Sequence, residues 1–81
     1  MPVLFRYKGY RFFFFSNEGN PLEPLHVHVR QGSALAKFWV QPEVALAESY
    51  GMNSAELREL LGVVAQNRGL IERKWHEYFG S

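Results

Sequence analysis

The chain has 81 residues, of which 47% are hydrophobic and 16% aromatic, and nine Lys and Arg against eight Asp and Glu give a formal net charge of +1. This length allows one domain, and the hydrophobic content argues against an intrinsically disordered chain. The balanced charge gives no argument for nucleic acid or an anionic membrane, and the absence of cysteine excludes disulfides and thiolate zinc sites.

The N-terminal part of the chain predicts two strands. They cover residues 3–7 and 10–15, and Lys8-Gly9 forms the turn between them. Alternation along the second strand puts aromatic residues on both faces, with Tyr10, Phe12 and Phe14 on one and Arg11, Phe13 and Phe15 on the other. One face then meets the core. The other needs cover from a loop or a partner, unless its aromatic residues simply fill the core.

A second strand pair follows a polar loop predicted over residues 16–24. Its strands cover residues 25–30 and 35–40, and Gly32-Ser33 forms a two-residue hairpin turn. This turn fixes a register in which Arg30 faces Leu35, Val29 faces Ala36, His28 faces Lys37, Val27 faces Phe38 and His26 faces Trp39. The register puts Val27, Val29, Ala36, Phe38 and Val40 on one side, and a slip of one residue would scramble that sorting.

The C-terminal part of the chain predicts a last strand over residues 44–49 and then a helix. Asn53 with Glu56 forms a variant of the capping box, and apolar residues recur at helical spacing up to Phe79, before the stop at Gly80. We expect a helix over about 54–79 with a kink near Gly69. The fold prediction is α+β in a single domain (1–81): a four- or five-stranded antiparallel sheet (1–50) and one long C-terminal helix (53–79) packed on one face.

The strand segment His26-Val27-His28 puts two imidazoles on one face of the sheet. Imidazole titrates near neutral pH, so either histidine is a candidate general acid or base, with Arg30 and Lys37 stabilising an anionic transition state. Trp39 on the same face is a candidate for stacking a nucleobase. These residues predict a metal-independent ribonuclease or a nucleic-acid binder. Two other interpretations stay open: a metal pair completed by His76 or a carboxylate, and ordinary polar residues on the open face.

Charge is distributed unevenly between the two halves of the chain. Residues 1–40 hold five basic and two acidic side chains, and residues 41–81 hold four basic and six acidic ones. The sheet half is therefore at +3 and permits a weakly basic face. The two acidic residues of the sheet half, Glu18 and Glu23, lie in the polar loop and are candidate neighbours of His26. The C-terminal Trp75-His76-Glu77-Tyr78-Phe79 is interpreted as a helix end packed on the sheet.

Four sequence motifs resemble those of short bacterial proteins grouped as domain of unknown function 4160. They are Phe-Arg-Tyr-Lys-Gly-Tyr-Arg-Phe-Phe-Phe-Phe-Ser-Asn-Glu, Pro-Leu-His-Val-His-Val, Ala-Lys-Phe-Trp-Val and Trp-His-Glu-Tyr-Phe. They follow one another in the family's order over nearly the whole chain. One departure is Pro24-Leu25-His26, where the family usually has Pro-Pro-His. The resemblance implies a prokaryotic cytosolic protein, whose gene often lies beside a second small gene in a pair resembling a toxin–antitoxin module.

The resemblance and the residues together lead to one expected function. We expect one half of a toxin–antitoxin-like pair that acts through protein–protein interaction, with the neighbouring gene's product covering Phe13, Phe15 and Trp39. RNA or DNA is the alternative ligand, and a homodimer is a further option. We expect no cofactor, no metal and no membrane association, and a cytoplasmic location, because no signal peptide and no run of about 18 apolar residues is found.

Overall fold

Five strands follow one another in chain order across a single antiparallel sheet. The computed structural model describes residues 3–15 and 24–80, so the polar loop predicted over residues 16–24 lies, apart from Pro24, outside the described residues, as do Glu18 and Glu23. The strands are β1 (Val3–Tyr7), β2 (Tyr10–Phe13), β3 (His26–Gln31), β4 (Ala34–Trp39) and β5 (Ala45–Tyr50). The prediction of an antiparallel sheet in an α+β fold is confirmed.

Two tight turns fix the hairpin registers. Lys8 and Gly9 both have positive φ, 48° and 82°, which is the backbone of a two-residue hairpin turn, and Tyr7 therefore pairs with Tyr10. The second turn joins β3 to β4 at Gly32 (φ 60°), and the predicted register is confirmed from His26 opposite Trp39 to Arg30 opposite Leu35. Sequence chemistry at the turns thus determines which side chains face each other.

The helical part consists of two helices, so the prediction of one long helix is wrong. The helices are α1 (Ser54–Gln66) and α2 (Arg68–Phe79), and the chain turns at Asn67, two residues before the predicted kink at Gly69. The Asn67 side chain donates to the Val63 carbonyl oxygen at 2.8 Å, and the Asn67 backbone N–H is shared between the carbonyl oxygens of Val63 (3.1 Å) and Val64 (3.2 Å). At the ends, the predicted capping box of Asn53 and Glu56 and the left-handed stop at Gly80 are confirmed.

The core lies between the helices and one face of the sheet. Strand alternation sends every second side chain of β2, β3 and β4 into it, and the helices contribute side chains three, four and seven positions apart. The fully buried core residues include Phe12, Phe14, Val27, Val29, Phe38, Val40, Val64 and Ile71. The opposite face, which we call the open face, carries the alternate strand residues.

The helix end packs on the sheet as predicted. Trp75 is 6% exposed, its ring centroid lies 5.1 Å from that of Phe14 and 4.5 Å from that of Phe79, and His76 next to it is exposed. At its other end, α2 is held by Arg68, whose Nη2 donates to the Pro42 carbonyl oxygen at 3.0 Å. Both helices are therefore fixed against the same face, and the open face is left to the other side chains of the strands.

Candidate functional site on the open face

Cross-strand pairing brings most of the predicted site residues together on the open face. Phe13 pairs with His28, His28 with Lys37, and Lys37 with Glu48, so these four side chains form one line across β2, β3, β4 and β5. His28 and Lys37 are half-buried, and Glu48 is exposed. The carboxylate of Glu48 next to Lys37 partly balances the charge of this line.

His26 does not share the exposure of His28. It is 0% exposed, and its Nδ1 lies 2.9 Å from the Pro24 carbonyl oxygen. Its ring centroid is 5.1 Å from that of His28, 5.7 Å from that of Trp39 and 5.4 Å from that of Trp75. A ring enclosed in this way touches no substrate unless the surrounding rings move. The site residue that the geometry offers to a ligand is therefore His28.

The three aromatic residues predicted to bind a partner differ in exposure. Phe13 is only 2% exposed, and its ring packs near those of Phe15 (5.3 Å) and His28 (5.7 Å). Phe15 is 37% exposed. Trp39 is half-buried, and the Lys37 Nζ lies 4.5 Å from its ring centroid, which is cation–π distance. Phe15 and Trp39 thus offer surface to a ligand, and Phe13 supports them from below.

A recess of about 270 Å³, which we call the face cavity, opens beside His28 and Lys37. Its walls combine apolar and polar groups from β3, β4 and β5, together with Phe15: Phe15, His28, Leu35, Ala36, Lys37, Glu48, Ser49 and Tyr50. Tyr50 is 71% exposed, the most exposed large hydrophobic side chain described. Small-molecule pockets usually measure about 300–1,000 Å³. The face cavity falls just below that range and suits one large side chain or one base.

A line of three arginines is the feature that sequence reasoning missed. Arg6 pairs with Arg11, and Arg11 pairs with Arg30, so the three stand on adjacent strands of the open face. We call them the arginine row. The Lys8-Gly9 turn was enough to predict that Arg6 pairs with Arg11. The register of β2 against β3, which adds Arg30, could not be predicted, because a long polar segment separates these strands in the sequence.

Structural hydrogen bonds join the β1–β2 hairpin to α1, at the tyrosine pair next to Arg6 and Arg11. The Tyr7 hydroxyl donates to the Glu59 Oε2 at 2.6 Å, and the Tyr10 hydroxyl donates to the Glu56 Oε2 at 2.6 Å. These hydrogen bonds lower the pKa of both carboxyl groups, with Lys8 also lowering that of Glu59 and the Asn53 backbone that of Glu56. The same bonds raise the pKa of both tyrosines. These hydrogen bonds join β1 and β2 to α1, and they involve none of the site residues described on the open face.

Metal ligands do not converge within the described residues. No group of three or more His, Asp or Glu side chains in residues 3–15 and 24–80 is arranged to hold a metal ion. His76, the suggested third ligand, is exposed on α2. The imidazole of His28 can donate and accept hydrogen bonds, and the guanidinium groups of the arginines can bind anions.

Most of the chain matches the model of a known protein family. The model of the family described as domain of unknown function (DUF4160) matches residues 9–76. The chain belongs to this family. The match includes β2, the histidine strand and α2 up to His76, so the family-defining segment carries most of the open face, though not Arg6. No curated protein and no solved structure matches the chain. In the described part of the chain, no helix is long and apolar enough to cross a membrane.

Proposed function

We propose that this protein is a binding module, one half of a toxin–antitoxin-like pair in the bacterial cytoplasm, and that its open face docks a small partner protein encoded by a neighbouring gene. The observation that carries the proposal is the contrast between the two faces of the sheet. One is covered by α1 and α2, and the other presents three arginines beside a cavity with exposed aromatic walls. Arginine and aromatic residues are enriched at protein interfaces.

The exposed tyrosine at the rim of the face cavity supports the same proposal. Tyr50 on β5 has 71% of its surface exposed, whereas Leu35, its paired residue on β4, is half-buried. Burying such a ring in a partner contributes apolar area and a hydrogen-bonding hydroxyl with little loss of side-chain entropy. Tyrosine is also one of the residues that most often dominate the binding energy of an interface.

The test is co-purification of the neighbouring gene's product with this chain, using a matched pair of tyrosine variants. Tyr50→Ala removes the ring at the face cavity, which is 71% exposed, and Tyr78→Ala removes a ring from α2 that is 47% exposed. We expect Tyr50→Ala to weaken the complex about tenfold or more, since interface tyrosines cost about 1–2 kcal/mol or more on truncation. Tyr78→Ala should bind as the wild type does. Equal affinity for all three proteins, or no complex at all, would refute docking on the open face.

The second candidate is a metal-independent ribonuclease or nucleic-acid binder, and the arginine row is the observation that favours it. Three adjacent cations can neutralise phosphates, and Trp39 offers a ring for stacking. The burial of His26 weighs against acid–base catalysis by the two histidines, so the binding form of this hypothesis is the stronger one.

Growth assays separate the two candidates. Cells express the chain alone or with the neighbouring gene, as wild type or as His28→Ala, with circular dichroism as the check on folding. Toxicity that His28→Ala abolishes, with partner binding kept, would establish a catalytic or RNA-binding face. A folded His28→Ala protein that stays fully toxic would end the catalytic hypothesis and leave the partner-binding one.

A further inference from the structure

The arginine row is an arrangement that folding alone does not favour. Adjacent strands of a sheet are about 4.8 Å apart, so Arg6, Arg11 and Arg30 fall within about 10 Å on one face. Like charges directly opposite each other destabilise a sheet. None of the three forms an ion pair with a carboxylate of the described residues. The row therefore has a binding capacity for anions that the carboxylates of residues 3–15 and 24–80 do not use.

The buried side-chain nitrogen of Arg30 is a second observation that points to a bound anion. Its side chain is half-buried, and its Nε is a buried donor with no hydrogen-bond acceptor in the described part of the chain. A buried donor without an acceptor costs free energy that a ligand's oxygen would recover. Guanidinium groups present a planar fork that matches a carboxylate with two parallel hydrogen bonds. An oxyanion placed over the row would satisfy these donors.

The same line of paired residues continues from the arginine row into the face cavity. Arg30 pairs with Leu35 and Leu35 pairs with Tyr50, and both apolar residues line the cavity. From Arg6 to Leu35 the line crosses three strand spacings, about 14 Å. The arginine row and the face cavity, which has room for one side chain, are thus adjacent along this line.

We propose that the docking segment of the partner is an extended acidic peptide with the pattern acidic–x–acidic–x–aromatic, which lies across the strands. Side chains two residues apart on an extended chain point to the same side and lie about 6–7 Å apart. Three such side chains span about 13 Å, which matches the distance from Arg6 to Leu35. The two carboxylates bind the arginine row, and the aromatic ring fills the face cavity. This inference rests on the proposed function and specifies the chemistry of its partner.

The chemistry of the open face favours a peptide over a nucleic acid. Glu48 and Lys37 both line the cavity and carry opposite charges, so the cavity offers no net positive charge to a phosphate attached to a base bound there, and an apolar side chain needs none. The formal net charge of only +1 also gives little of the long-range attraction on which nucleic-acid binding depends. A carboxylate peptide needs only the local charge of the row.

The experiment uses labelled decapeptides and measures fluorescence anisotropy on the full chain. The test peptide carries Glu-Ser-Glu-Ser-Phe in both chain directions, and controls replace both Glu by Gln or the Phe by Ser. A single-stranded RNA decamer is the competing probe. We expect the acidic aromatic peptide to bind about tenfold or more tightly than either control. Arg11→Glu should abolish that preference, and Arg58→Glu, an exposed arginine of α1, should keep it.

Two kinds of result would overturn this inference. One is tighter binding of the RNA than of the peptide, or no binding of any peptide up to about 1 mM, which corresponds to about −4 kcal/mol. The other is a partner protein that still co-purifies with Arg6→Glu/Arg11→Glu at wild-type affinity while Tyr50→Ala loses it. In that second case the proposed docking on the open face stands and only the acidic segment is refuted.

Discussion

Replacing the central arginine of the row by glutamate should stabilise the protein. In the wild type, Arg11 stands between Arg6 and Arg30, and neither pair includes a compensating charge from the described residues. Arg11→Glu converts two like-charge pairs into two opposite-charge pairs at the same positions. On the proposed role of the row in ligand binding, the variant that loses the ligand should gain stability, because it removes the like-charge pairs.

The size of the gain follows from the exposure of the row. Cross-strand charge pairs are worth about 0.2–1 kcal/mol each, and exposed ion pairs fall in the lower part of that range. Arg11 is exposed, so two converted pairs give about 1 kcal/mol in the free energy of unfolding. For a chain of this size, that change raises Tm by about 4–8 °C. Arg11→Gln, which only removes repulsion, should give about half as much.

The assay is thermal unfolding followed by circular dichroism at low and high salt. At about 1 M salt the Debye length falls to about 3 Å, so the difference between Arg11→Glu and Arg11→Gln should shrink. The comparison of these two variants also cancels the poor strand propensity that both side chains share. A lower Tm for Arg11→Glu than for Arg11→Gln at low salt would show that the row is not a site of repulsion, and the argument for an unused anion site would fail.

Three further predictions concern the helices and the tryptophans. Asn53→Ala removes the N-cap acceptor of α1 and should cost about 1 kcal/mol in unfolding free energy, measured by urea denaturation. Because the folded-state pKa values of Glu56 and Glu59 lie below the ordinary 4.5, their stabilisation is complete above that pH and is lost as pH falls through the lowered values. Replacing both by Gln should therefore flatten the acid side of the stability curve; an unchanged acid slope would contradict this origin. Trp75→Phe leaves Trp39 as the single tryptophan, and its emission should shift to the blue when the partner docks; an unshifted spectrum in a formed complex would place the interface elsewhere.

Local rules in the sequence were sufficient for the strands and for one hairpin. Gly32 marked the β3–β4 turn, and the alternation of apolar residues then left a single register that buries Val27 and Val29. The capping box at Asn53 and the helix end at Gly80 could also be predicted from the sequence, because helix caps depend only on residues close by in the chain. Each of these features is decided within a few residues of the chain.

Other features depend on contacts that a sequence pattern does not contain. The turn at Asn67 interrupts a continuous helical pattern. There the Val63 carbonyl oxygen accepts from both the backbone and the side chain of Asn67, and periodicity does not report such a contact. His26 was grouped with His28 by alternation, but its position at the start of β3 encloses it between Trp39 and Trp75. The arginine row needed the pairing of β2 with β3, two strands separated by a long polar segment.

The order of the strands also bears on how this protein reaches its folded state. Every strand pairs with the one before it in the chain, from β1 to β5, and no strand is inserted between two others. Such a meander keeps the sequence separation of contacting residues small, and low contact order goes with rapid folding. The sheet can grow by adding one strand after another as the ribosome releases the chain, with α1 and α2 closing the core last. A sheet built in this way needs no second chain as a template for its strand pairing, because each strand finds its neighbour within the same chain.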